Sequence, residues 1–123
     1  MAQATVTFGR SGVPEGAVLD RDHLARMTLG DQSLEREVLQ LFDRQAELLL
    51  RRIRVSEPAA VVTLAHTLKG SAAGIGAGRV ACAAESAELI ASRAPSECDR
   101  AVDRLAQAVD EARVHIAAIL HAV

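Results

Sequence analysis

Tryptophan and tyrosine are absent from these 123 residues, and Phe8 and Phe42 are the only aromatic side chains. Half of the residues are nevertheless apolar. That material is largely alanine and leucine, which favours helices over the β-branched and aromatic composition of strands. Cysteine is confined to Cys82 and Cys98, with no C-x-x-C pair, so both are expected to be buried or inert thiols rather than redox or metal-binding groups. Neither sign of charge is in large excess, with 14 basic against 16 acidic residues interspersed along the chain, which argues against nucleic acid as a partner. No apolar run approaches the roughly 18 residues needed to span a bilayer, and the basic-then-apolar layout of a signal peptide is missing, so a cytoplasmic location without membrane attachment is expected.

The length suits a single domain. Residues 1–18 contain Gly9, Gly12, Pro14 and Gly16 and show no helical period. They read as an arm, partly disordered, on which Phe8 is the one candidate for docking. From residue 19 to residue 123 the pattern is helical. A short helix follows Asp20, turns Leu24 and Met27 inward and stops at Gly30. Asp31 is placed to cap a second helix, whose inward positions read as Leu34, Val38, Leu41, Phe42, Leu48, Leu49 and Ile53, interrupted by Gln45. Ser56-Glu57-Pro58 ends that run and starts a third helix, since proline is tolerated in a first turn. The third helix reaches Ile75, where Gly74, Gly76 and Gly78 predict a turn. A fourth carries Val80, Ala83, Ala84, Ala87 and Ile90 inward. Pro95-Ser96 closes it, and Ser96 with Asp99 resembles a capping box for a fifth, whose inward face is Val102, Leu105, Val109, Ala112, Ile116, Ile119 and Val123. The expected fold is all-α: an antiparallel four-helix bundle with a short N-terminal helix across one end.

The third helix holds the segment with chemical potential, His66-Thr67-Leu68-Lys69-Gly70-Ser71-Ala72-Ala73-Gly74-Ile75-Gly76-Ala77. At 100° per residue Leu64, Leu68, Ser71 and Ile75 form the stripe that a core would take, which leaves His66 roughly 160 to 200° away from Leu64 and Leu68 and facing solvent. Val62, Lys69, Gly70 and Ala73 share its outward face. A neutral imidazole is a competent nucleophile that can hold a phosphoryl group. Glu57 is the helix's only acid and lies more than two turns away, so His66 is expected to lack a carboxylate partner, and a Ser/His/Asp relay is disfavoured. Lys69 is the chain's single lysine against thirteen arginines. It stands one turn from His66, where an ammonium offsets charge on a bound phosphoryl group. Gly70 costs about 1 kcal/mol relative to alanine in a helix interior. The offsetting gain is clearance for another protein's active-site loop.

The run H-x-L-K-G-S-A, followed by an apolar residue and Gly-Ala one turn on, resembles the signature of histidine phosphotransfer (HPt) domains of bacterial two-component phosphorelays. The likeness extends to Val18-Leu19-Asp20, to Leu39, Leu41 and Phe42, and to Glu85 on the fourth helix. Gly74 and Ala84 depart from the family pattern at turn and packing positions. The resemblance implies that His66 is phosphorylated on Nε2, that Lys69 assists and that Gly70 gives clearance. It further implies response-regulator receiver domains and a hybrid sensor kinase as partners, with the receiver supplying Mg²⁺, so that this chain needs no metal or cofactor. The expected role is then a stoichiometric phosphocarrier, by expectation monomeric, taking a phosphoryl group from one receiver aspartate onto His66 and passing it to another. Val62, Ala73 and Arg79 are the expected rim of the docking face.

Other readings are weaker. Gly74-Ile75-Gly76-Ala77-Gly78-Arg79 follows a helix rather than a strand and has arginine in the third glycine position, which excludes a dinucleotide loop. A Walker-type phosphate loop is missing, so the phosphoryl donor is expected to be another protein. A non-phosphorylated helical adaptor that binds receivers or kinases is the main alternative. A metal-binding bundle would need His66 inside the core with further ligands. His23, His115 and His121 read as surface residues without a role.

Overall fold

The computed structural model describes residues 16–122. They form α1 (Arg21–Met27), α2 (Gln32–Arg54), α3 (Pro58–Ile75), α4 (Gly78–Arg93), a single 3-10 turn (Pro95–Glu97) and α5 (Cys98–His121). Most boundaries follow from local chemistry. The carboxylates of Asp20 and Asp31 cap α1 and α2, accepting from the backbone N–H groups of His23 and Leu34 at 3.0 and 3.1 Å. Pro58 opens α3, where no N–H is needed. The expected capping box does not form. Ser96 is taken up by the 3-10 turn, and no side chain caps α5.

The α3–α4 turn demands glycine at one position. Gly76 has φ +84° and its N–H donates to the Ala73 carbonyl, while Ala77 donates to the Ala72 carbonyl at 2.9 Å, closing the helix end. Gly76 also accepts from the Asp20 N–H at 2.8 Å, and a Cβ there would lie 2.9 Å from the Asp20 carbonyl oxygen. Gly76→Ala is therefore expected to cost about 1 to 3 kcal/mol, through the left-handed backbone and the displaced N-terminal segment. Gly74→Ala, where a Cβ meets open space, should cost nothing or gain up to about 1 kcal/mol. Urea denaturation of the two variants measures the contrast.

Helices α2 to α5 form the bundle, joined by short connections that reverse the chain. Helix α3 lies between α2 and α4, and α5 closes the ring against α4 and α2. Helix α1 lies across the end where α3 turns into α4, tied there by Asp20 and by His23, whose Nε2 is 3.1 Å from the Gly74 carbonyl oxygen. His23 is thus part of the tertiary structure, contrary to its reading as a bystander. Residues 16–18, expected to belong to the arm, run along the start of α4, where Arg79 N–H donates to the Ala17 carbonyl at 2.9 Å. Residues 1–15, with Phe8, and Val123 lie outside the described residues.

The core is lined by Leu24 of α1, by Leu39, Phe42, Ala46, Leu49 and Ile53 of α2, and by Val61, Ala65, Leu68, Ala72 and Ile75 of α3. Helix α4 adds Val80, Ala81, Ala84, Ala87 and Ala91, and α5 adds Val102, Leu105, Val109, Ala112 and Ile116. Two expected stripes shift. On α2 the buried face turns away from Leu34, Leu41 and Leu48, which are exposed, and on α3 it centres on Ala65 and Ala72, with Leu64 and Ser71 only half-buried. Met27 is exposed, and Thr28 is buried in its place with its hydroxyl donating to the Leu24 carbonyl at 2.9 Å. The two shifted stripes share a cause. Alanine is a weak apolar signal in sequence, but it wins the interior where close packing of helices leaves room only for a methyl group.

Candidate functional site

His66 is held on the middle of α3, with Leu68 and Ala65 of the same turn anchored in the core. Its side chain is 64 % exposed, as its helical phase requires. The short side chains on the facing surfaces of α3 and α4 bring those two helices together over most of their length, and this approach supplies what α3 does not carry itself. Glu88 of α4 places its carboxylate oxygens 3.0 and 3.2 Å from His66 Nδ1. One of those oxygens is also 3.4 Å from the Lys69 ammonium. Lys69 and Glu88 are each only 25 % exposed, so the imidazole stands on a half-buried ion pair.

The expectation that His66 lacks a carboxylate partner is thus overturned. It holds for α3 alone, and the acid comes from a residue 22 positions away. Glu85, the acidic residue singled out in the sequence, lies one turn earlier on α4 and is half-buried. The legible signal was the pair Glu85 and Glu88 interrupting the alanine face of α4. Which of the two meets His66 depends on the register between helices.

The contact has a chemical consequence. An ionised carboxylate only accepts hydrogen bonds, so Nδ1 must carry the proton and donate it. The lone pair is then on Nε2. The Thr67 hydroxyl is turned back to the Thr63 carbonyl at 3.2 Å. The arrangement offers a solvent-facing imidazole nitrogen, oriented by an acid, with an ammonium beside it.

Around this centre a side chain at Gly70 would meet open space, so packing does not require glycine there. Val62 and Ala73 are half-buried at the foot of the same face. Arg79 is not brought to His66. It stands nine residues, about 13 Å along α4, from Glu88, and its guanidinium donates to the Gly16 carbonyl at 2.9 Å and pairs with Glu111 at 2.7 Å.

Among the described residues no group of three or more His, Cys, Asp or Glu side chains is placed to hold a metal ion, and no helix is long and apolar enough to cross a membrane. Cys98 is buried, and burial, then the neighbouring Asp99 charge, pushes its thiol pKa up, which keeps it protonated and unreactive. Cys82 is exposed, so of the two thiols only Cys98 is buried.

Comparison with known proteins places the fold in a family. Residues 32–115 match the model of the Hpt domain. Among solved structures, a rice protein described as a histidine-containing phosphotransfer protein superposes with a TM-score of 0.73 at 19 % identity, over 85 % of this chain and 80 % of that one. At that identity the likeness speaks for the fold. No curated protein is significantly similar to the sequence.

Proposed function

From the premise that the chain belongs to the Hpt domain family, whose members are phosphocarriers working with receiver and kinase domains in phosphorelays, we propose that His66 accepts a phosphoryl group from a receiver aspartate and relays it to a second receiver. The observation that carries this reading is the Glu88 contact to Nδ1, which leaves Nε2 as the reacting atom on an exposed face.

In the proposed step the Nε2 lone pair attacks phosphorus as the bond between phosphorus and the aspartyl oxygen breaks. The carboxylate leaves, and the ring becomes a positively charged phosphoimidazole whose Nδ1 proton stays hydrogen-bonded to Glu88. The carboxylate therefore opposes the charge that develops on the ring, while the Lys69 ammonium offsets the charge of the phosphoryl oxygens. Mg²⁺, the acid pocket and the leaving carboxylate belong to the receiver. Transfer onward is the same step reversed with another aspartate.

Incubation with a phosphorylated receiver domain tests the proposal. The protein should acquire acid-labile, alkali-stable phosphate that maps to His66. A chain that binds the receiver and gains no phosphate would instead be an adaptor.

Two variants probe the surroundings. Glu88→Ala removes the tautomer constraint, so the ¹⁵N resonances of the His66 ring should move from a proton on Nδ1 toward the Nε2-protonated form, and transfer should slow about tenfold. Unchanged ring resonances would mean that the carboxylate does not orient the imidazole. Gly70→Leu should leave helicity intact or raised while the receiver concentration for half-maximal transfer rises at least about tenfold, since the new side chain stands in the space a docking loop would use.

A further inference from the structure

The carboxylate of Glu88 has two claimants. His66 Nδ1 lies 3.0 Å from one of its oxygens and 3.2 Å from the other, and that second oxygen is also 3.4 Å from the Lys69 ammonium. Glu88 is the one ion-pair partner of Lys69 among the described residues. While the ring is neutral, Lys69 is thus the cation that balances this acid, and salt screens the pair little because both groups are largely buried. The ammonium is thereby held on the Nδ1 side of the ring. A phosphoryl group would arrive at Nε2, which points away from the carboxylate, so Lys69 cannot serve both at once.

Resting on the reading of His66 as the phosphoacceptor, we propose that Glu88 exchanges counter-ions on phosphorylation. Lys69 balances it in the resting protein; in the phosphoprotein the ring takes over that part and Lys69 moves to the phosphoryl oxygens. The charges favour the exchange. Forming the bond between Nε2 and phosphorus with the Nδ1 proton retained turns a neutral ring into a cation and sets a dianion beyond it. Glu88 then has a positive partner within hydrogen-bond distance, and the ammonium is drawn by two negative charges in place of one. Lysine suits the change. A point charge on a flexible stem can switch partners, whereas the fork of an arginine would grip both carboxylate oxygens, which gives a reason for the single lysine of the chain to stand here. Onward transfer returns the ring to neutrality and Lys69 to Glu88. The ion pair that re-forms favours release of the phosphoryl group to the next receiver over its accumulation on His66.

Because Lys69 is the only lysine, ¹⁵N-lysine labelling gives one side-chain signal that reports its surroundings. His66 can be phosphorylated without a receiver by phosphoramidate, whose phosphorus–nitrogen bond breaks as Nε2 attacks and ammonia leaves. In the unphosphorylated state the lysine signals of wild type and Glu88→Gln should differ, since the variant keeps an acceptor for Nδ1 and offers no charge to the ammonium. After phosphorylation that difference should largely vanish, because in both proteins Lys69 then stands with the phosphoryl oxygens. Phosphohistidine should also persist about threefold longer in Glu88→Gln, whose ring lacks the acid that holds it in the positively charged, more labile form. A difference that survives phosphorylation undiminished keeps Lys69 on Glu88 throughout and overturns the exchange. So does phosphohistidine that decays as fast in the variant as in the wild type, or faster. A protein that takes no phosphate on His66 from phosphoramidate or from a phosphorylated receiver removes the phosphoacceptor reading itself, and the exchange with it.

Discussion

His66→Gln is expected to abolish phosphoryl incorporation while leaving the bundle folded. Glutamine keeps a polar side chain of similar reach, and its amide can still donate to Glu88, so the acid and Lys69 are not left without company. The site is largely exposed, and substitutions there cost little stability, within about 0.5 kcal/mol. What disappears is the ring lone pair. An amide nitrogen is not a nucleophile, and no other group stands ready to replace it, because the Thr67 hydroxyl faces back into its own helix. The loss should therefore be complete rather than graded. A phosphate-affinity gel after incubation with phosphorylated receiver reads the first part, and thermal denaturation reads the second. Residual acid-labile phosphate on the variant would place the acceptor elsewhere, with His23, His115 and His121 the remaining histidines of the chain.

Leu68→Ala is expected to have the largest effect on stability among the residues near the site, a loss of about 2 to 5 kcal/mol. Leu68 is fully buried two residues from His66, and it shares the interior with the alanines that keep α3 close to α4. Its removal leaves a cavity in a region already lined by small side chains, which have no length to reach in and fill it. Against a total stability of about 5 to 15 kcal/mol the loss is a large fraction, and the melting temperature should fall by at least about 8 °C. Phosphate acceptance by the fraction that remains folded should persist, since the nucleophile does not depend on this side chain. A drop of less than about 1 kcal/mol in urea denaturation would show that the α3–α4 interface relaxes around the void.

These two substitutions lie two residues apart and act on opposite properties, and both were legible in helical phase. The all-α composition, the five helices, the outward His66 and the inward Leu68 follow from a period that every residue reports locally. The same arithmetic misassigned α2, because two apolar lines run along that helix and leucine weighs more than alanine in any count. Leu41 and Leu48 were read as core, while Ala46 holds a core position. Local pattern also suggested a cap at Ser96, which the chain spends instead on a 3-10 turn.

The sequence alone singled out His66 as the candidate nucleophile and determined that its helix turns it outward and that the chain's one lysine stands a turn away, because all three are properties of a single helix and its period. Only the tertiary structure decided that His66 has an acid behind it. Whether Glu85 or Glu88 faces His66 depends on the axial register and separation of α3 and α4, and those depend on how alanine methyl groups from both helices interlock, a fit that no position reports by itself. The same holds for α2. Its periodicity admits two faces, and the neighbouring helices chose which to bury and which to leave exposed.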